Sequence, residues 1–592
     1  MRKIYILLTA SLILFGSCED YLDRKDENSD FLSEEDVWRD KNKINSIAFR
    51  LYDCTEWWFE TRYTYQRRQS AGTGKNYANT CQFSGEVITT RSLGGSDAVM
   101  RGDWWEAVNR HTFANPDFHM AWEDMWEAVY VSNTILDQID NVPLDVMTND
   151  ERNQVKGEAH LFRALAYHEI SKRWGAMPYF KEKIFPETDL NRVRPTYLEQ
   201  INDIVADCDS AIMFLPEVSY LNHASMMGRM GKAAAMGLKS RALTTAASPN
   251  YTPNNGSDPD LWERAAVAAW ELIQLSRTSD KVGLYDGEYT HIFHTEPGTI
   301  EGVWPRYFAT ERPNLYTLSW MWQGVDGYHG LSPTQEMIDL FETADGWPIT
   351  HPSSGYSDQD PYTNRDPRFY EDILYHGSTW SKTTENQTMD MRTEPLGADR
   401  TTPNGSDFGN SKTGYLVRKL IPDRWNRKKY DVPKYVNAPY IRMAEIYLNY
   451  AEAVNEAYGN PQAMAPGADI TAVDALNAIR NRVGHVNVRP EFTTDYQLFQ
   501  DRVRNEFQVE LCFEYHIWFD LIRWRTAREK LDNHNFHGVR IIEDATAPTG
   551  VRFERFEIPW ERRFEDRHYR YPLRQSDLEI FELPKLVQNP GW

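Results

Sequence analysis

Three glutamates, Glu506, Glu510 and Glu514, are spaced i, i+4, i+8 in the stretch "RNEFQVELCFEYHIW". Two carboxylates held roughly 5 to 10 Å apart in a cleft would suit glycoside hydrolysis, but like charges on one helical face repel unless cations intervene. Arg442, Arg480, Arg482, Arg502 and Arg523 could supply those cations, so the spacing points to an ion-pair network between helices rather than an acid–base pair. His291 and His294 have HxxH spacing without a third ligand or an HExxH helix, and no metal is expected there. "NNGSDPD" is rich in oxygens but lacks the spacing of a calcium loop, and a polar turn explains it. Neither a GxSxG elbow nor a GxxxxGK[ST] loop occurs. No cofactor is called for.

Aromatic residues offer binding chemistry instead. A sugar presents flat apolar CH faces rimmed by hydroxyls, so a site for it needs exposed rings for stacking and a few polar side chains for orientation. Of 20 Trp and 32 Tyr, those at helical spacing belong to a core, and the remainder gather in two places. "CTEWWFETRYTYQRRQS" and "RGDWWEAVNR" contribute Trp57, Trp58, Trp104 and Trp105. "YTLSWMWQGVDGYHG" contributes Trp320, Trp322 and Tyr328 with Gln323 and Asp326 beside them, and Tyr316 lies just before. These are the candidate ligand-binding residues. The Trp320 to Tyr328 segment is the leading one.

The elements that would carry such sites are helical. From about Phe118 to Ser276, five amphipathic stripes follow one another: Trp122, Trp126, Val129, Leu136 and Ile139 with Asn133 among them; Phe162, Ala166, Ile170 and Trp174, closed by Gly175; Tyr197 to Leu215 after the capping box Thr196-Tyr197-Leu198-Glu199; the small-residue tract "GKAAAMGLKSRALTTAAS"; and Trp262, Ala266, Ala269 and Ile273. From Tyr440 to about Arg528, three more have Ile441, Ala444, Leu448, Ala451 and Val454; Val473, Leu476, Ile479 and Val483; and Val503, Phe507, Leu511, Trp518 and Ile522. Eight helices in four pairs predict a mainly α, irregular tetratricopeptide-like solenoid, although no clean repeat of roughly 34 residues is present. Between the blocks, 281–434 reads as a long loop-rich insertion, and its aromatic content argues against disorder.

Composition narrows the partners. The 592 residues carry 65 basic and 87 acidic side chains, a formal net charge of −22, which repels phosphate backbones and disfavours nucleic acid. The chain is 41% hydrophobic with a mean hydropathy of −0.64, enough for a substantial core. Five cysteines are too few for a disulfide scaffold; Cys54 and Cys81 could pair, whereas Cys208 falls on an apolar stripe as a small core residue.

At the N-terminus, Arg2 and Lys3 precede an apolar run from Ile4 to Phe15, too short for a bilayer span, and the small residues Gly16-Ser17 lead into Cys18. This is the pattern of an export signal, 1–17. "LFGSC" resembles a bacterial lipobox with Phe15 in place of the usual leucine, which makes Cys18 the lipid attachment site. Glu19, Asp20 and Asp23 are similar to the acidic patch that carries Bacteroidetes lipoproteins to the outer surface, and a solvated tether accounts for the same composition equally well.

The motif series "FRALAYHEISKRWGAMPYF", "GRMGKAAAMGLKSRALTTAASP", "DPRFYEDIL", "YIRMAEIYLNYAEAVNEA", "ALNAIRNRVG", "VELCFEYHIWFDLIRW" and "LVQNPGW" resembles, in content and order, that of the SusD/RagB family. The resemblance extends from Cys18 to Trp592. It implies an N-terminal SusD-like helical region, 18–280, and a RagB/SusD C-terminal region, 281–592, packed as one unit. It further implies a non-catalytic, lipid-anchored protein on the outer face of the outer membrane, which binds glycans and caps a SusC-like TonB-dependent transporter. Capture of peptides instead of glycans, or surface glycoside hydrolysis, are the alternatives.

Overall fold

In the computed structural model the described residues are 34–54, 80–89, 94–105, 119–185, 188, 192–217, 228–295, 298–305, 307–309, 331–380, 387–398, 401, 410–421, 435–437, 439–580 and 586–592. Helix boundaries follow local capping chemistry. After α1 (Lys41–Asp53) and α2 (His119–Gln138), α3 (Asn149–Trp174) starts at a Thr148/Glu151 capping box and stops at Gly175, whose φ of 81° suits a residue without Cβ. The predicted Thr196/Glu199 box opens α4 (Tyr197–Phe214). Helix α5 spans Lys232–Ala247. Asp258, from the oxygen-rich "NNGSDPD", caps α6 (Pro259–Ser276) by accepting from the Leu261 amide, with Pro259 in the first turn.

These helices stack in sequence, each packed on the next from α1 to α6. Helix α7 (Met443–Tyr458) then packs directly on α6, so the stack continues across the insertion. Helices α8 (Ala472–Arg482) and α9 (Tyr496–Glu510) pack on α7 in turn. One continuous apolar core takes in residues from Trp38 to Leu586. The small-residue tract explains how tightly the stack closes: a Cβ on Gly237 in α5 would lie 2.8 Å from Val303 Cγ1 and 3.1 Å from Ile441 Cγ2.

All eight expected helices are present, with two corrections. Ile441 is not helical; it forms β4 (Ile441–Arg442), paired antiparallel with β2 (Gly302–Trp304). The third stripe of the second block is broken, because α9 ends at Glu510 and α10 (Ile517–Arg523) begins after a turn in which Phe513 and Tyr515 have φ of 64° and 63°. Glu514 therefore lies in that turn rather than on the helix of Glu506 and Glu510. The described parts of the insertion are loops, short helices and two- or three-residue strands, among them β3 (Leu331–Pro333), which pairs with β1 (Val87–Thr89) from near the N-terminus. A hairpin of two seven-residue strands, β5 (His537–Glu543) and β6 (Val551–Glu557), buries Val539, Ile541, Val551 and Phe553 and leaves Arg540 and Arg552 exposed, close to the period-2 signal of a half-buried strand. Cys54, Cys81, Cys208 and Cys512 are all buried and none is in a disulfide, so the Cys54–Cys81 pairing is not made.

Candidate functional site

The three glutamates form ion pairs. Glu510 accepts from Arg442 Nη1 at 2.6 Å, from Arg368 Nη1 at 2.9 Å and from Arg482. Glu506 bridges Arg368 at 2.5 Å and Arg480 at 2.8 Å. Glu514 pairs with Arg442 Nε at 2.8 Å and Lys419 Nζ at 2.9 Å. Burial alone would raise the Glu510 carboxyl, but the guanidinium groups of Arg482, Arg442 and Arg368 outweigh it and hold it well below the usual carboxylate range. A carboxylate so held is neither a proton donor near neutral pH nor in contact with solvent, so the acid–base reading of this cluster falls. Of the expected cations, Arg442, Arg480 and Arg482 do contact these glutamates. Arg502 instead pairs with Glu342 at 2.9 Å, and Arg523 with Glu452 and Asp520 at 2.6 and 2.7 Å. Arg368, from "DPRFYEDIL", and Lys419 were not anticipated, since no helical period links the insertion to α9.

His294 donates from Nε2 to the Lys419 carbonyl at 2.8 Å, a structural bond that accounts for one histidine of the HxxH pair.

Among the aromatic candidates, Trp57, Trp58, Trp320, Trp322, Gln323, Asp326 and Tyr328 lie outside the described residues, as does Cys18. Trp104 is corrected. It is fully buried, with its ring stacked 4.6 Å from His568 and its indole N–H donated to the Val99 carbonyl at 2.9 Å, which makes it a core residue. Its neighbour Trp105 is 41% exposed. The doublet illustrates a limit of composition: two adjacent tryptophans differ in burial, and sequence alone does not say which one faces water. Trp347, in the described part of the insertion, has His351 stacked 4.0 Å from it and the Arg489 guanidinium 3.9 Å from its ring centroid, so its faces are occupied.

Two of the cavities among the described residues bear on function. One, between α3, α5, α7 and α10, is lined by Glu169, Lys172, Arg241, Glu445, His516 and Asp520, and measures about 80 Å³. Burial would lower His516, yet the adjoining Asp520 and Glu445 carboxylates raise it to about 9. The space is far smaller than the roughly 300 to 1,000 Å³ of a ligand site and suits a few ordered waters. His168 Nδ1 and Thr244 Oγ1, both buried without partners, line it as water-bridging groups would. The second is an open groove of about 420 Å³ where α3 ends, lined by Gly175, Arg194, Asn250, Arg525, Arg567 and Arg570 with Asp566. Sequence reasoning missed it because its cations come from three distant segments, and only Arg567 and Arg570 are close in the chain.

The fold and motif order have counterparts among known proteins. A model described as the SusD family matches residues 309–592, and a second, described as starch-binding associating with outer membrane, matches 20–243. The chain belongs to the SusD family. It is similar to a SusD-like protein of Bacteroides ovatus, 20% identical over 90% of this chain and 85% of that one, and to a SusD-like protein of Formosa agariphila, 22% identical over 68% and 69%. A SusD-like protein from Bacteroides fragilis superposes with a TM-score of 0.70 at 24% identity over 95% of this chain and 99% of its own. A SusD-like carbohydrate binding protein from the same species gives 0.68 at 19% over 93% and 100%, and a structure with xylogluco-oligosaccharide gives 0.59 at 17% over 91% and 97%.

Proposed function

We propose that the chain is a non-catalytic surface lipoprotein that binds oligo- or polysaccharides and delivers them to a TonB-dependent outer-membrane transporter, whose extracellular mouth it covers. The observation that carries this reading is family membership, with matches along most of the chain. Support comes from two solved neighbours, one titled as carbohydrate-binding and one with xylogluco-oligosaccharide. The lipobox ending at Cys18 and the acids after it favour an anchored protein on the outer face. Binding rather than hydrolysis is favoured because the glutamate cluster with the most suggestive spacing is neutralised by arginines.

Several acyl chains hold a lipoprotein on a membrane where one chain alone gives only marginal binding. Cys18→Ala should therefore release the protein into the soluble fraction, whereas wild type co-purifies from detergent-solubilised outer membranes with a large β-barrel. A variant that stays membrane-bound, with no palmitate incorporated into wild type, contradicts the anchor. Recovery of wild type alone, under conditions that keep other membrane complexes together, contradicts the lid.

A further inference from the structure

The open groove at the end of α3 carries a charge the rest of the molecule does not predict. In a chain of net charge −22, its lining brings together Arg194, Arg525, Arg567 and Arg570. Asp566, the one carboxylate that lines it among the described residues, is engaged by Arg528 at 2.9 Å and Arg525 at 3.8 Å. Arg567 has Glu565 at 3.1 Å and lies over the Trp592 ring. Arg194 and Arg570 differ from these, because among the described residues no carboxylate pairs with either.

Their hydrogen bonds go to neutral oxygens. Arg194 donates Nε to the Ala176 carbonyl and Nη2 to the Trp174 carbonyl, each at 2.8 Å, and Nη1 to Val587 O and Asn589 Oδ1 at 3.2 Å. Arg570 donates Nη1 to Tyr569 O at 3.0 Å and Nη2 to Asn250 O at 2.5 Å, with its guanidinium 4.4 Å from the Tyr251 ring centroid. Carbonyl dipoles satisfy N–H groups but leave a full charge uncompensated. The two cations also approach each other. A Cβ on Gly175 would lie 2.9 Å from Arg194 Nη2 and 3.6 Å from Arg570 Nε, so both guanidinium groups border the space left by the missing side chain. Burial together with Arg570 lowers Arg194 to about 10, and burial also lowers Arg570.

We infer that this groove is an anion subsite, in which Arg194 and Arg570 together receive a carboxylate or sulfate carried by an acidic glycan. An oxyanion there would supply the missing counter-charge and accept charge-assisted hydrogen bonds from the two groups, a pairing for which guanidinium geometry is suited. The inference rests on the glycan-binding reading and narrows its ligand class.

The test is calorimetric titration of the soluble body with two acidic probes, a galacturonate trimer and a chondroitin sulfate tetrasaccharide. Their neutral counterparts, the methyl-esterified trimer and the desulfated, esterified tetrasaccharide, serve as controls. At least one acidic probe should bind about 10-fold or more tighter than its neutral counterpart, and Arg570→Gln should weaken that binding by about 10- to 100-fold, the range for losing one charged hydrogen bond. The comparison of charged with neutral probes uses wild type alone, so it decides even where Arg570→Gln fails to fold. Neutral glycans bound without preference for either acidic probe overturn the subsite and leave the glycan reading standing. Preferred binding of an acidic probe that a folded Arg570→Gln variant retains in full places the anion elsewhere and overturns the assignment. No binding of any glycan contradicts both.

Discussion

Glu510 is surrounded by three guanidinium groups, from Arg368 in the insertion, Arg442 before α7 and Arg482 at the end of α8. Removing one member of a buried ion pair leaves charge uncompensated and costs about 3 to 5 kcal/mol, far more than an exposed pair contributes. Glu510→Gln should lose about that much in urea unfolding, and a loss below about 1 kcal/mol would show that the network is replaceable by neutral hydrogen bonds. Asp372, at the edge of the same cluster, behaves in the opposite sense. Burial raises its carboxyl to about 7, with Lys419 3.8 Å away too distant to reverse the effect. Because the folded pKa lies above the unfolded one, the folded protein binds the extra proton, and this stabilisation is complete below about pH 4 and lost as pH rises through about 7. From pH 5 to 8, wild type should lose about 2 kcal/mol of unfolding free energy relative to Asp372→Asn. Equal pH dependence in the two proteins would mean the carboxyl is ionised throughout. Taking the difference isolates Asp372 from Glu86, which burial also raises to about 7. Residue types foretold the pairing of Arg442, Arg480 and Arg482, but not Asp372, whose shift depends on which loop is folded over it.

Helix α5 shows what was legible at the scale of elements. "GKAAAMGLKSRALTTAAS" reads as a close-packing helix, and Gly237 meets Val303 and Ile441 at the distances such packing requires. Gly237→Val should therefore destabilise by about 1 to 3 kcal/mol or more through overpacking, although valine is the better helix former by a few tenths. An unchanged or higher melting temperature would mean that the strands beside α5 yield freely. The capping boxes at Thr196 and the stop at Gly175 were equally legible, because a cap is a local device written within four residues. The break between α9 and α10 was not. Apolar residues from Val503 to Ile522 keep a helical period through the turn, and only the positive φ of Phe513 and Tyr515, invisible in their residue types, interrupts it. The pairing of β1 with β3 likewise joins segments some 240 residues apart, with no turn signal to announce it.

Over the whole molecule, α7 packs on α6 and thereby leaves the insertion as an excursion from a continuous helical stack. Motif order identified the family, since the seven quoted stretches sit mostly in the stack or its ion-pair supports. The candidate binding residues were less legible, because exposure rather than residue type separates a ring that could stack on a ligand from a core ring, and the adjacent Trp104 and Trp105 differ in just that respect. The central claim is that this protein binds glycans through exposed rings, and the most direct measurement is a glycan array on the purified soluble body, run with wild type and with Trp320→Ala and Trp322→Ala. Stacking on an aromatic ring is worth roughly 1 to 3 kcal/mol, so either substitution should weaken the glycans that wild type retains by about 5- to 150-fold at unchanged melting temperature. Wild type that retains no glycan contradicts the claim, and retention undiminished in both variants contradicts the platform assigned to this segment.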